Sequence, residues 1–267
     1  MKNKYLWYTD LHLNRLLPWT IYNFIQNILK EDPIGLFLTG DISNGTFTCF
    51  HLKLLARFIK CPIYFILGNH DYYLCDIATQ HSNIREMCRK YPNLIWLTDA
   101  DIISLNDDVA LIGVEGWYDG KRGNSKYLKY APDWFMIKDF RQLPTMKERI
   151  EAFRTLAEQN STLLESKLEK ALSLKYKSIY ILTHFPPWKE ATRFKGSILE
   201  KYYLPYNTNL GLGKVIEKVM SQNREKDILV MCGHTHETEY IRVSKNINCQ
   251  VGAANQLQAP NSQKIYT

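Results

Sequence analysis

Phe65-Ile66-Leu67-Gly68-Asn69-His70-Asp71 ends an apolar run, begun at Ile63 and Tyr64, in a glycine and three polar groups. Such a run reads as a buried strand of a parallel sheet. It delivers Asn69, His70 and Asp71 to the strand's carboxyl end, where open α/β sheets keep their sites. The same pattern recurs four times. Tyr5 to Thr9 leads into Asp10-Leu11-His12, and Leu36 to Thr39 into Gly40-Asp41. Ile179 to Thr183 leads into His184, and Ile228 to Cys232 into Gly233-His234-Thr235-His236. Five strands ending in Asp, His or Asn predict one metal site assembled from distant parts of the chain.

The intervening segments fit an α/β fold. Pro18 to Lys30 places Ile21, Phe24, Ile25, Ile28 and Leu29 at helical spacing, with Pro18 suited to a first turn. Phe50, Leu54, Leu55, Phe58 and Ile59 mark a second amphipathic helix, and Asp76 to Lys90 a weaker third. The resulting β-α-β-α-β order predicts a parallel sheet with covering helices. Leu94 to Leu97 is a short strand; Ile102–Leu105 and Val109–Val114 read as an antiparallel pair across a polar turn. From Glu115 to Leu143 the chain is rich in Gly, Tyr, Trp and Lys with little periodicity, as in a functional or mobile stretch. Thr145 and Glu148 then form a capping box that opens a helix with Ile150, Phe153, Leu164, Leu168 and Ala171 on one side. A helix around Val215, Ile216 and Val219 and late antiparallel strands at Tyr240–Val243 and Ile247–Val251 complete the pattern. No repeat or low-complexity linker divides the 267 residues, so one domain, 1–267, is expected, with an aromatic and basic insertion and helix at about 115–175.

Composition narrows the classes. The net charge of +7 favours an anionic small substrate, but it lacks the dense Lys/Arg blocks of a dedicated nucleic-acid-binding module. Six cysteines show no CxxC pair and no framework spacing, as expected of reduced thiols in a cytoplasmic protein. No run approaches the ~18 apolar residues of a membrane span. GxSxG and GxGxxG are absent, and Gly213-Lys214 misses a phosphate-binding loop because Thr208 and Val215 occupy two required places.

The histidines carry the chemistry. Of seven, His12, His70, His184, His234 and His236 follow predicted strands, whereas His51 and His81 fall in helical stretches and read as ordinary surface or helix residues. Imidazole and carboxylate donors without thiolate suit manganese, iron or zinc. Adding Asp10, Asp41 and Asn69 gives more candidate ligands than one ion with an open position can use. Two ions sharing a bridging carboxylate fit better, since pairs ~3.5–4 Å apart clamp both oxygens of a phosphoryl displacement. Asp10-x-His12 and His234-x-His236, if extended as strand, would point both members of each pair to one side.

Taken together, Asp10-Leu11-His12, Gly40-Asp41, Gly68-Asn69-His70-Asp71, His184 and Gly233-His234-Thr235-His236 resemble, in order, the five motifs of the calcineurin-like metallophosphoesterase family. The resemblance implies a four-layer α/β/β/α sandwich with mixed sheets, and a hydrolase of phosphomonoesters or phosphodiesters. It also implies two divalent or trivalent ions, Mn2+ first, with iron or zinc as alternatives. By position Asp10, His12 and His236 would hold one ion, Asn69, His184 and His234 the other, and Asp41 both. A hydroxide between the ions would be the in-line nucleophile and His70 the general acid. Asp71, as readily a helix-starting carboxylate as a supporting partner, is left out of the site.

One departure stands out. The protein-phosphatase branch follows its Gly-Asp with an aspartate three residues on and then arginine, where this chain has Asn44 and Gly45. The partner orienting His70 is therefore neutral or lies elsewhere, and the bacterial phosphohydrolase and phosphodiesterase branches are the nearer resemblance. Trp117, Tyr118, Tyr127, Tyr130 and Trp134, with Trp188, Lys189 and Arg193, are expected to wall the substrate pocket. The alternatives on the same fold are a non-catalytic scaffold, a nuclease, and a pyrophosphatase acting on a nucleotide-linked or lipid-linked diphosphate.

Overall fold

The computed structural model describes residues 3–194, 197–198, 203–254 and 262–267. In a strand, successive side chains alternate between two faces, and in the four strands that follow both faces are apolar. On β1 (Lys4–Tyr8), β2 (Gly35–Thr39), β3 (Ile63–Ile66) and β4 (Leu94–Trp96), one set faces the first helices. That set includes Leu6, Leu36, Leu38, Ile63 and Phe65, packed on Ile21, Phe24 and Ile28 of α1 (Pro18–Glu31) and on Leu52 and Leu55 of α2 (Thr46–Phe58). Ile84 of α3 (Ile77–Lys90) joins the same core. The opposite set, Tyr5, Trp7, Phe37, Tyr64 and Ile66, turns inward.

A second sheet receives it. Its strands include β5 (Ile103–Ser104), β6 (Val109–Gly113) and β7 (Ser178–Leu182). Between β6 and β7 the chain carries the insertion helices α4 (Asp133–Met136) and α5 (Lys138–Arg141), and the long α6 (Met146–Leu172). A two-strand hairpin, β8 (Arg193–Phe194) and β9 (Ser197–Ile198), stands apart from both sheets. Then α7 (Leu210–Ser221), β10 (Asp227–Cys232), β11 (Glu239–Ser244), β12 (Ile247–Val251) and β13 (Gln263–Tyr266) follow. Leu111, Leu182 and Met231 meet Trp7 and Ile66 between the sheets, while Ile112, Ile179, Ile181 and Val230 face Leu164 and Leu168 of α6 and Ile216 of α7. Three apolar layers thus separate helix, sheet, sheet and helix, and the sequence expectation of a four-layer sandwich holds.

The sheet orders are β13-β1-β2-β3-β4 and β11-β12-β10-β7-β6-β5. The strands β1, β2 and β3 run parallel to one another, as do β6, β7 and β10. The expected antiparallel pairs β5–β6 and β11–β12 form. The pairing of β13 antiparallel to β1 was not foreseen.

The capping box at Thr145 forms as expected: Thr145 Oγ1 accepts from Glu148 N at 3.2 Å, and Glu148 Oε2 accepts from Thr145 N at 3.0 Å. The stretch expected to lack regular structure instead carries α4, α5 and a 3-10 helix, Ser125–Tyr130. Its aromatic residues supply the reason. Trp117, Tyr118, Trp134 and Phe140 pack on Phe153 of α6, so burial folds a segment that shows no period.

Candidate metal centre

All five motif loops meet where the carboxyl ends of β1, β2 and β3 approach those of β7 and β10. The loops after β1 and β2 continue as a hydrogen-bonded pair: Asp10 N donates to Gly40 O at 3.1 Å and His12 N to Asp41 O at 2.9 Å. Within the second sheet, Gly233 N donates to His184 O at 3.0 Å, and across the sheets His184 Nδ1 donates to the Thr39 carbonyl at 2.8 Å.

The convergence of Asp10 with His12 and of His234 with His236 has a different cause from the expected strand alternation. β1 ends at Tyr8 and β10 at Cys232. Asp10, His12, Asp41, His234 and His236 all have positive φ, between 42° and 69°. The left-handed region is disfavoured for residues with a Cβ, by about 1–2 kcal/mol each. Backbone strain of this kind gathers at functional sites, where the surrounding structure holds it. Gly68, before Asn69, and Gly233, before His234, serve close approach. A Cβ on Gly68 would collide with Asp41 Oδ1 and sit 2.8 Å from His184 Cε1; one on Gly233 would collide with Asp10 Oδ2.

Two sets of donors result. In the first, Asp10, His12, Asp41 and His236 each offer an atom, all within 4.8 Å of one another. His236 Nε2 is 3.2 Å from Asp10 Oδ1 and 3.5 Å from His12 Nε2. The Asp10 carboxylate also accepts from His234 N at 3.0 Å and from Thr9 Oγ1 at 2.6 Å. In the second set, Asn69, His184 and His234 face one another. His184 Nε2 is 3.1 Å from Asn69 Oδ1 and 3.3 Å from His234 Nδ1. Asp41 reaches both sets: Oδ2 is 3.7 Å from His12 Nε2, and Oδ1 is 3.5 Å from His184 Nε2.

The hydrogens of the second set are committed elsewhere. His184 gives its Nδ1 hydrogen to Thr39 O, and His234 gives its Nε2 hydrogen to Tyr206 O at 3.2 Å. Asn69 Nδ2 donates to Asp133 Oδ1 at 2.9 Å and to the Tyr73 hydroxyl at 3.1 Å. Three lone-pair atoms, Asn69 Oδ1, His184 Nε2 and His234 Nδ1, are thereby turned toward a common space with no proton among them. That arrangement fits a cation, and imidazole, amide and carboxylate donors suit manganese, iron or zinc.

The charges agree with this fit. Burial, followed by the nearby Asp10 and Asp71 carboxylates, raises the Asp41 carboxyl well above its ordinary range. Burial also opposes ionisation of Asp10, but the imidazoles of His236, His184 and His12 outweigh it and lower that carboxyl. Burial lowers His184 and His234, and takes His12 down to about 3. The imidazoles of His12, His184 and His234 are therefore neutral, as ligands must be, whereas for His236 burial is outweighed by the adjoining Asp10 carboxylate, which raises that imidazole.

His70 lies beside both sets. Its backbone N–H donates to Asp41 Oδ1 at 2.9 Å, its Nε2 is 3.8 Å from Asp41 Oδ2, and its Nδ1 donates to Asn44 Oδ1 at 3.2 Å. The neutral partner expected from the Asn44 departure is thus Asn44 itself. Burial, then the neighbouring His12 and Arg15, pushes His70 down to about 2.

Two supporting carboxylates were missed or left aside in the sequence. Asp71 is fully buried and accepts from Ser43 N and Gly68 N, both at 2.9 Å, and from Thr48 Oγ1 at 2.8 Å. It binds the loop carrying Asp41 to the loop carrying Asn69. Asp133, from the insertion, orients Asn69 and accepts from the Tyr118 hydroxyl at 3.1 Å. His51, read as an ordinary helix residue, is also buried, with its Nδ1 2.9 Å from Ser43 Oγ.

The expected pocket wall is corrected. Trp117, Tyr118 and Trp134 are at most 2% exposed and form core. Trp188 is buried and donates to Glu217 Oε1 at 2.6 Å, Lys189 pairs with Glu190 at 3.6 Å, and Arg193 pairs with Glu239. Residues 195–196 and 199–202 of the same loop lie outside the described residues.

Layered sheets with a two-set Asp/His/Asn cluster at their carboxyl ends define a metallophosphoesterase-type fold. The profile of the calcineurin-like phosphoesterase family matches residues 4–238, and the chain belongs to that family of metal-dependent phosphoesterases. A comparison with curated proteins finds no match. Among solved structures, the phosphopantetheinyl hydrolase of Mycobacterium tuberculosis is similar at 14% identity and a TM-score of 0.65, over 94% of this chain and 90% of that one. A dimetal phosphatase from Danio rerio is similar at 11% identity and a TM-score of 0.59, over 98% of this chain and 92% of that one. At these identities the likeness is one of fold.

Among the described residues, no helix is long and apolar enough to cross a membrane. All six cysteines are free; Cys75, Cys232 and Cys249 are buried, and the other three are half-buried.

Proposed function

We propose that the chain hydrolyses phosphate esters of small molecules at a two-ion centre. Asp10, His12 and His236 would hold one ion, Asn69, His184 and His234 the other, with Asp41 shared. The observation that carries this reading is the second donor set, whose lone pairs face one another because Thr39, Tyr206, Asp133 and Tyr73 take the hydrogens. When bound, a pair of manganese, iron or zinc ions polarises phosphoryl oxygens and lowers the pKa of coordinated water.

The chain's own groups do the rest. Asp10, Asp41 and the imidazoles around them set where the phosphoryl group sits. His70, with its Nδ1 hydrogen anchored on Asn44, presents Nε2 beside Asp41, and in its protonated form would pass the Nε2 proton to a departing alkoxide. Burial of the centre keeps bulk water from competing for these contacts.

The test is hydrolysis of bis(p-nitrophenyl) phosphate with Mn2+, alongside an alkyl phosphate ester. Asp41→Asn should lower kcat/KM by about 10³-fold on both, the scale of losing one preorganised charge interaction at the reacting group. His70→Ala should keep its metal content and lose mainly alkyl ester turnover, because p-nitrophenolate leaves without a proton. Turnover unaffected by Asp41→Asn would sink the reading, and no turnover with metal bound would favour a non-catalytic scaffold.

A further inference from the structure

We infer that the cleft between α1 and α2 holds a long hydrocarbon group of the substrate, so that the centre acts on the phosphate ester of an acyl or prenyl chain. This rests on the phosphoesterase reading above. The cleft encloses about 700 Å³, within the range of ligand pockets. It also carries an unusual surface. Tyr22, Phe47, Phe50, Phe58 and Leu74 line it while 50–62% exposed. Contiguous exposed apolar surface of this kind marks a binding site.

The cleft adjoins the metal centre at one end. Asn44 and Tyr73 line it and each touches His70: Asn44 Oδ1 accepts from His70 Nδ1, and the Tyr73 ring lies 4.2 Å from the His70 ring. Two further polar lining residues, Asn14 and His51, meet at that end through Ser43. Ser43 Oγ is 3.3 Å from Asn14 Oδ1 and 2.9 Å from His51 Nδ1, and Ser43 is two residues from Asp41. Beyond Thr46, the lining on α2 is Phe47, Phe50, Leu54 and Phe58, apart from His51. Helix α2 rises about 16 Å between Phe47 and Phe58, the length of roughly a dozen carbons of extended chain. A nucleobase laid there would leave its ring nitrogens and exocyclic groups without partners, at a desolvation cost that a hydrocarbon does not incur. An anionic head at the ions and an apolar tail along α2 match the polarity of the cleft end for end.

The test is a series of p-nitrophenyl alkyl phosphate diesters, methyl through dodecyl, on the Mn2+-loaded chain below the critical micelle concentration. Full burial of a methylene corresponds to about a four-fold gain. kcat/KM should therefore rise two- to four-fold per carbon and level off near a dozen. The double variant Phe47→Ser/Phe50→Ser should flatten that slope. Calorimetry of dodecyl phosphate against the metal-free protein supplies a readout independent of turnover, with binding expected in the parent and lost in the double variant.

The two readings fail differently. If no diester is hydrolysed but dodecyl phosphate still binds in a Phe47- and Phe50-dependent way, the phosphoesterase reading falls and the cleft assignment stands. Equal kcat/KM for methyl and dodecyl esters, or dodecyl phosphate binding unchanged by the double variant, overturns the cleft assignment. So does a chain-length effect that appears only above the micelle threshold, or a dimer dissolved by the double variant in the absence of any chain-length effect.

Discussion

The two flanks of the centre are built in opposite ways. On one side the insertion lays Trp117, Tyr118, Trp134 and Phe140 against Phe153, all of them buried. From within that packing, Asp133 reaches 2.9 Å to Asn69. On the other side, α1 and α2 leave Tyr22, Phe47 and Phe50 about 60% exposed around an open cleft. Both flanks are rich in aromatic residues. The difference teaches that aromatic composition marks neither a pocket nor a core; what decides is whether a neighbouring element covers the rings. Here the amino-terminal half of α6 covers one flank, and among the described residues nothing covers the other.

The contrast can be broken at several points. Trp117→Ala removes a ring packed on Tyr72, Tyr118, Phe153 and Phe185, and should cost about 3–5 kcal/mol in denaturant unfolding. Phe50→Ser should fall within about 0.5 kcal/mol of the parent, as exposed substitutions do. Comparable costs at the two sites would erase the distinction between the flanks.

A smaller effect is expected where the buried flank touches the centre. Asp133→Asn keeps the shape but replaces the acceptor that orients Asn69, so Mn2+ affinity measured by calorimetry should fall about 10- to 100-fold. Unchanged affinity would make Asp133 a packing residue only.

The smallest effect concerns pH. Burial, then the neighbouring His12 and Arg15, push the His70 pKa down to about 2, and the neutral Asn44 offers no charge to lift it. Asn44→Asp places an anion beside Nδ1, which favours the protonated imidazole and raises the pKa, by about 1–2 units. Since the proton-donating form exists below that pKa, the high-pH limb for alkyl esters should move up by the same amount. The p-nitrophenyl profile should stay in place. A shift in both profiles would remove His70 from the proton-transfer step.

The strands and the convergence of Asp10, His12, Asp41, Asn69, His184, His234 and His236 were legible because each follows a buried strand with a fixed end. How they converge was not. Period-two alternation was read into Asp10-x-His12, whereas the pair lies past the strand with φ of 50° and 42°. Positive φ at Asp and His has no local sequence signature. Asp133 was also out of reach, since its partner Asn69 is 64 positions away and only tertiary packing brings them together. The carbonyls of Thr39 and Tyr206, which settle two imidazole tautomers, are backbone atoms that any residue would supply. The insertion was misjudged because its order comes from α6, which follows it in the chain.

Donors rooted in one sheet and donors rooted in the other reach across the gap between them, with His184 hydrogen-bonded to Thr39 as a direct tie. Any ion gripped by both contributes its binding free energy to the docking of the two halves. By mass action, the melting temperature of the chain should then climb with free ion concentration. Chelation would loosen the seam between the sheets before it disturbs either sheet on its own.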